Sequence, residues 1–211
     1  MRMQKSALNT LILSILIILG ALVLTLVGQG MRFSFGAEAT MQYMPLVWAI
    51  LAAVGVSFVF GWVRYSLAGA ITLAAAVLHD QLLSLALCAI IGLAFGLSSY
   101  LPALLMAGLV ATYAFTIPQI RTARVLVRGG SSRGLARDEA ASESRNQHRP
   151  LKMVVALAAL LILAAFIISG NKHMIGAVLP LFTGLLSAVV SSCLITPFIW
   201  AALATRKMNK K

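Results

Sequence analysis

Apolar residues run through this chain in long blocks rather than in stripes. Six blocks can be drawn, at about Leu8–Val27, Met44–Val63, Ser66–Ala94, Tyr100–Val127, Leu151–Ser169 and Met174–Thr205. Each has the length of about 18 or more residues that a helix needs to cross a bilayer. The third, fourth and sixth exceed a straight crossing, which predicts tilt or a projecting end. The pattern therefore predicts an all-α polytopic membrane protein, with six transmembrane helices in one domain over residues 1–211. Between the first two blocks, residues 28–43 form a short loop. Residues 128–150, "RGGSSRGLARDEAASESRNQHRP", mix Gly, Ser and both charges, and their composition predicts a mobile loop.

Composition supports the same class. Of the 211 residues 61% are hydrophobic and 10% charged, where soluble domains have about a quarter charged. The net charge of +12 raises nucleic acid as a partner, but its placement argues for topology instead. With the N-terminus cytoplasmic, only Arg32 and Lys172 of the 17 basic residues fall outside. The others cluster at both termini, at Arg64 and from Arg121 to Lys152. Both termini are thus expected in the cytoplasm, with residues 128–150 inside, residues 28–43 outside and anionic lipid as a nonspecific contact. No nucleic-acid role is expected. The first block follows Arg2 and Lys5 as a signal peptide would. "LTLVGQGMRF" nevertheless has no small-x-small cleavage pattern, which predicts an uncleaved helix. Cys88 and Cys193 both lie in apolar blocks and form neither a disulfide framework nor a metal site.

A few polar residues interrupt the blocks. Asp80 lies fourteen residues past Ser66, about 21 Å along a helix that crosses roughly 30 Å of hydrocarbon. An acid at such depth is costly and points to a proton or ion pathway. His79 precedes it, but helix neighbours point about 100° apart. No preformed dyad is expected, and any partner of Asp80 should come from another helix. Gly69, Thr72, Ala76, Asp80, Ser84 and Cys88 share one side with Leu73 and Leu87. Small residues let membrane helices approach closely, so this side predicts a helix–helix seam. The sixth block repeats the device with Gly184, Ser187, Ala188 and Ser191, next to Ser192. Pro118 predicts a kink in the fourth block, with Thr112, Thr116 and Gln119 available to the backbone groups it frees. No metal-ligand spacing, phosphate loop or nucleophile–base pair accompanies these residues, so neither cofactor, metal nor enzyme activity is expected. His148, at a membrane edge, and His173, in an outer turn, read as interfacial.

Four stretches, in this order, resemble SecF, the smaller subunit of the SecD–SecF accessory complex of the bacterial Sec translocase. "GQGMRFSFGAEATMQY" (Gly28–Tyr43) is similar to the family's Gly-x-Asp-Phe-x-Gly-Gly segment. "LHDQLL" (Leu78–Leu83) matches its Leu-x-His-Asp stretch, "QHRPL" (Gln147–Leu151) its entry to the fifth span, and "GLLSAVVSSCLITP" (Gly184–Pro197) its Ser-Ser segment in the sixth. The resemblance implies an RND-like membrane half in the bacterial inner membrane, with both termini cytoplasmic. It would pair with a SecD-like subunit and, through it, with SecYEG, with YajC or YidC as further neighbours. Proton motive force would then assist protein translocation. Departures from the family are specific. Arg32–Phe33 stands for its Asp-Phe, Gly36–Ala37 for its Gly-Gly, and no large extracytoplasmic domain separates the first two blocks. The fourth block keeps Thr116 and Arg124 but lacks the family's acid. The resemblance thus implies a scaffold half with reduced proton coupling, in which Asp80, His79, Thr116 and Arg149 are the candidate coupling or packing residues.

An alternative rests on "TIPQIRTARVLVRGGSSRGLA" (Thr116–Ala136), where Pro118–Gln119 at a helix end resembles PQ-loop solute transporters. A third expectation is a structural protein that only stabilises a complex.

Overall fold

The computed structural model describes residue 9 and residues 12–20, 33–34, 43–95, 99–128 and 137–205. Within these the architecture is helical: α1 Tyr43–Tyr65, α2 Leu67–Phe95, α3 Leu101–Arg128, α4 Arg137–Ser169, α5 Lys172–Val190 and α6 Thr196–Thr205. Five helical stretches among the described residues are long and apolar enough to cross a membrane. Residues 12–20 are also helical, and the rest of the expected first span lies outside the described residues. The one sheet among the described residues is a two-residue parallel pair, β1 (Phe33–Ser34) with β2 (Ser99–Tyr100), which ties the segment before α1 to the α2–α3 turn. Most of the expected outer loop, including Arg32, Gly36 and Ala37, lies outside the described residues.

The first three complete helices fall within two residues of the expected spans. Two other expectations need correction. Residues 137–150 are not a loop but the first turns of α4, which runs unbroken through Pro150 to Ser169. Their composition hides this, because Ser and mixed charge dominate the outer face. The inner face is small and packed: Ala140, Ala141 and Ser144 are all fully or almost fully buried. Ser144 Oγ donates to the Gln119 carbonyl of α3 at 2.7 Å, which docks this segment. The sixth span is also not a single regular helix. Ser191–Ile195 form a π-helical turn between α5 and α6, in which Thr196 N–H bonds the Ser191 carbonyl five residues back. Such turns commonly mark functional positions in helices.

Packing sorts the helices into centre and rim. Only 22% of the most apolar part of α1 and 17% of that of α4 is buried, against 61% for the α5–α6 stretch. Large apolar residues such as Trp48, Trp62, Val63, Val154, Leu161 and Ile168 are exposed, as lipid-facing surfaces require. The stretch from α5 to α6 lies at the centre and touches α2, α3 and α4. α1 and α2 form an antiparallel hairpin that reverses at Ser66, whose φ of 107° lies in the left-handed region. α5 meets α3 backbone to backbone, since a Cβ at Gly184 would lie 2.8 Å from Gly108 N. Only glycine permits that approach.

Apolar clusters close both ends of the bundle. Leu46, Ile50, Leu104, Leu163 and Leu179 belong to one, and Tyr65, Leu73, Ile120, Ala141 and Trp200 to the other. Between them lies a layer of buried polar side chains.

Candidate functional site

The polar layer is organised by Asp80, halfway along α2 and fully buried. Its Oδ2 accepts hydrogen bonds from Thr112 Oγ1 of α3 at 2.6 Å and from Ser191 Oγ of the π turn at 2.9 Å. Three separate elements thus converge on one carboxyl group. Partners from other helices were expected, but the expectation of no dyad is corrected. His79 Nδ1 lies 3.0 Å from Asp80 Oδ1. The Cβ vectors diverge, yet the imidazole is long enough to fold back along the helix to its neighbour. His79 Nε2 is buried without a partner among the described residues.

The seam residues surround this centre. Gly69, Thr72, Ala76, Ser84 and Cys88 are all buried, as are Gly184, Ser187, Ala188, Ser191 and Ser192. Ser84 Oγ reaches across to Thr183 Oγ1 of α5 at 3.1 Å, so the α2 stripe faces the last span. Thr72 and Ser187 instead return their hydroxyls to carbonyls of their own helices. Gln81, beside Asp80, donates to the Leu105 carbonyl at 2.9 Å and covers Gly108.

Two of the candidates make no contact with Asp80. The α3 hydroxyl that meets Asp80 is that of Thr112, one turn before Thr116. Thr116 is fully buried, and its Oγ1 has no partner among the described residues. Arg149 is exposed. The cation that turns inward is Lys152, three residues on and 1% exposed. Its Nζ donates to Gln119 Oε1 at 2.6 Å and to the Ser192 carbonyl at 3.3 Å. The π turn therefore links the two charged residues buried among those described, Asp80 through the Ser191 hydroxyl and Lys152 through the adjacent carbonyl. Gln119 serves Lys152 rather than the carbonyl freed by Pro118, and Pro118 itself lies inside a continuous α3. The Pro118–Gln119 pair that resembled a solute transporter is thus accounted for by an internal contact.

Lys152 had a signal in the sequence. Ala141, Lys152, Ala159 and Leu163 repeat at helical spacing and are all buried. The stripe is lost when the helix is started at Leu151 and Lys152 is counted among the topological charges. His148, on the same side one turn earlier, has its Nε2 3.0 Å from Thr122 Oγ1 of α3.

This arrangement can hold a proton-accepting carboxyl group, shielded from bulk water, between three helical elements. It can also hold a fixed cation at the same π turn. No curated protein and no solved structure matches the chain. The family profile described as protein export membrane protein SecD/SecF, C-terminal, matches residues 34–206, most of the chain and all the elements that build the polar layer. The chain belongs to the SecD/SecF family of protein export membrane proteins.

Proposed function

We propose that this protein is a SecF-type half that pairs with a SecD-like subunit beside the SecYEG channel of the bacterial inner membrane. In this reading it assists protein translocation driven by the proton motive force. Asp80 takes up and releases the proton, Thr112 and Ser191 read its state, and Lys152 fixes the charge balance of the layer. The observation that carries the reading is the fully buried Asp80 carboxyl, gripped by hydroxyls from two other elements. A group gripped in this way transmits a change in protonation directly to α3 and to the π turn. α3 carries no acid of its own. That lack supports a half with reduced coupling, which relies on its partner for the remainder of the pathway.

Preprotein translocation into inverted membrane vesicles tests this, with Asp80→Asn against the parent chain. Loss of the proton-driven stimulation with normal recovery of the SecD-like partner is the expected outcome. Unchanged translocation with unchanged partner recovery would remove Asp80 from any proton role. Loss of partner recovery alone would make Asp80 a packing residue and the chain a scaffold.

A further inference from the structure

An open cleft of about 520 Å³ lies outside the polar layer, at the end of the bundle where α1 reverses into α2. Tyr65 of α1, Ile117, Arg121, Val125 and Leu126 of α3, and Gln147 of α4 line it. Its size falls within the range of small-molecule sites. The walls have two chemistries. Ile117, Val125 and Leu126 present aliphatic surface, and Val125 is 59% exposed. Arg121 is exposed and makes no hydrogen bond or ion pair with any described residue.

The surrounding charge is strongly one-sided. Arg121, Arg124 and Arg128 follow one face of α3 at spacings of three and four. Arg124 is committed to the protein, donating to the Arg64 carbonyl at 3.2 Å with its guanidinium 5.7 Å from the Tyr65 ring centroid. That contact braces the cleft wall, so that among the described residues lining the cleft Arg121 is the cation without a protein partner. The exposed Glu143 accepts from Gln147 Nε2, on the cleft wall, at 3.1 Å.

The geometry points to an anionic phospholipid as the occupant, its phosphate on Arg121 and the start of an acyl chain along Ile117, Val125 and Leu126. A guanidinium beside exposed aliphatic surface at a membrane edge matches an amphiphile with a negative head. A zwitterionic lipid would bring its own cation towards Arg121, Arg124 and Arg128. A water-soluble anion would leave the aliphatic wall unused. The site does not depend on proton coupling and holds for a scaffold half equally.

The full-length protein in detergent, mixed with phosphatidylglycerol or phosphatidylcholine of identical chains, tests this by native mass spectrometry. Phosphatidylglycerol should be retained about fivefold better, as one surface cation near an anionic lipid supplies. Arg121→Gln should abolish the preference, whereas Lys172→Gln, at the opposite end, should keep it. Val125→Trp, which fills the aliphatic wall without changing charge, should lower phosphatidylglycerol retention. Each variant is first matched to the parent in thermal unfolding. Equal retention of both lipids, or an unaltered preference in Arg121→Gln, overturns the proposal. Displacement of phosphatidylglycerol by millimolar glycerol 3-phosphate overturns it too, since the site would then recognise a soluble anion.

Discussion

Lys152 and Asp80 show what a buried polar group requires of its neighbours. Removing one partner of a buried pair costs more than removing both, because the survivor has lost water and gained nothing. Gln119→Leu leaves the Lys152 ammonium with only the Ser192 carbonyl, and should destabilise the protein by roughly 1–3 kcal/mol. Adding Lys152→Met should recover most of that loss, since methionine fills the volume without needing a partner. Thermal unfolding of the two single variants and the double variant in one detergent measures the coupling. Additive losses would show that the two side chains do not depend on one another. These residues also mark the limit of the sequence. Asp80 was legible, because an acid inside an apolar block has no other explanation than a polar interior. Lys152 was not, because a lysine two residues into such a block looks the same as one that holds it at the membrane edge. Thr112 and Thr116 are likewise equivalent on paper, one helical turn apart, and only the placement of α2 selects the first.

At the scale of elements, close approach explains the arrangement better than apolarity does. A membrane offers little hydrophobic gain when two helices meet, so contact area at short range must supply it. The Gly184–Gly108 crossing brings α5 onto α3 and so holds Ser191 within reach of Asp80. Gly184→Val should force the helices apart, lowering both the unfolding temperature and translocation. Gly55→Ala in α1, where a Cβ would meet nothing within 4 Å, should be neutral or slightly stabilising. Similar unfolding temperatures for the two variants would argue against the crossing as a determinant. The stripes at Gly69–Cys88 and Gly184–Ser191 made this seam readable, since small residues at helical spacing have few other uses in a span. The amino-terminal turns of α4 were unreadable for the opposite reason. Their outer residues have the composition of a loop, and their helicity comes from docking Ala140, Ala141 and Ser144 against α3 and α6.

For the whole molecule, charge placement and burial give separate accounts that meet. Among the described residues, Arg64, Arg121, Arg124, Arg128, Arg145 and Arg149 gather at the end where α1 reverses into α2, whereas the α4–α5 turn at the other end carries Lys172 and His173. The positive-inside rule then predicts residue 128 in the cytoplasm and residue 172 outside. Cys88 and Cys193 are buried, which leaves them inaccessible to a membrane-impermeant maleimide. A cysteine at Lys172 should therefore be labelled on whole spheroplasts, and one at Arg128 only after the membrane is opened. The reverse pattern would invert the topology. The helical class and the family were both legible at this scale, because block length and motif order survive divergence. Which helix is central was not legible, because every block is apolar and only packing separates rim from core.

The π turn at Ser191–Ile195 bears on how relatives should be compared with this chain. A turn of five residues in place of four amounts to a single inserted residue, absorbed by the helix without a loop. Everything after it is rotated by about 100° relative to an unbroken helix. In a relative whose last span is regular, the counterparts of Trp200 and Ala201 would sit one position earlier against the same core. An alignment without a one-residue gap at this point would pair the wrong residues downstream, even with Gly184 and Ser191 correctly matched. Roles transferred through the final span should therefore be counted separately on each side of Ser191.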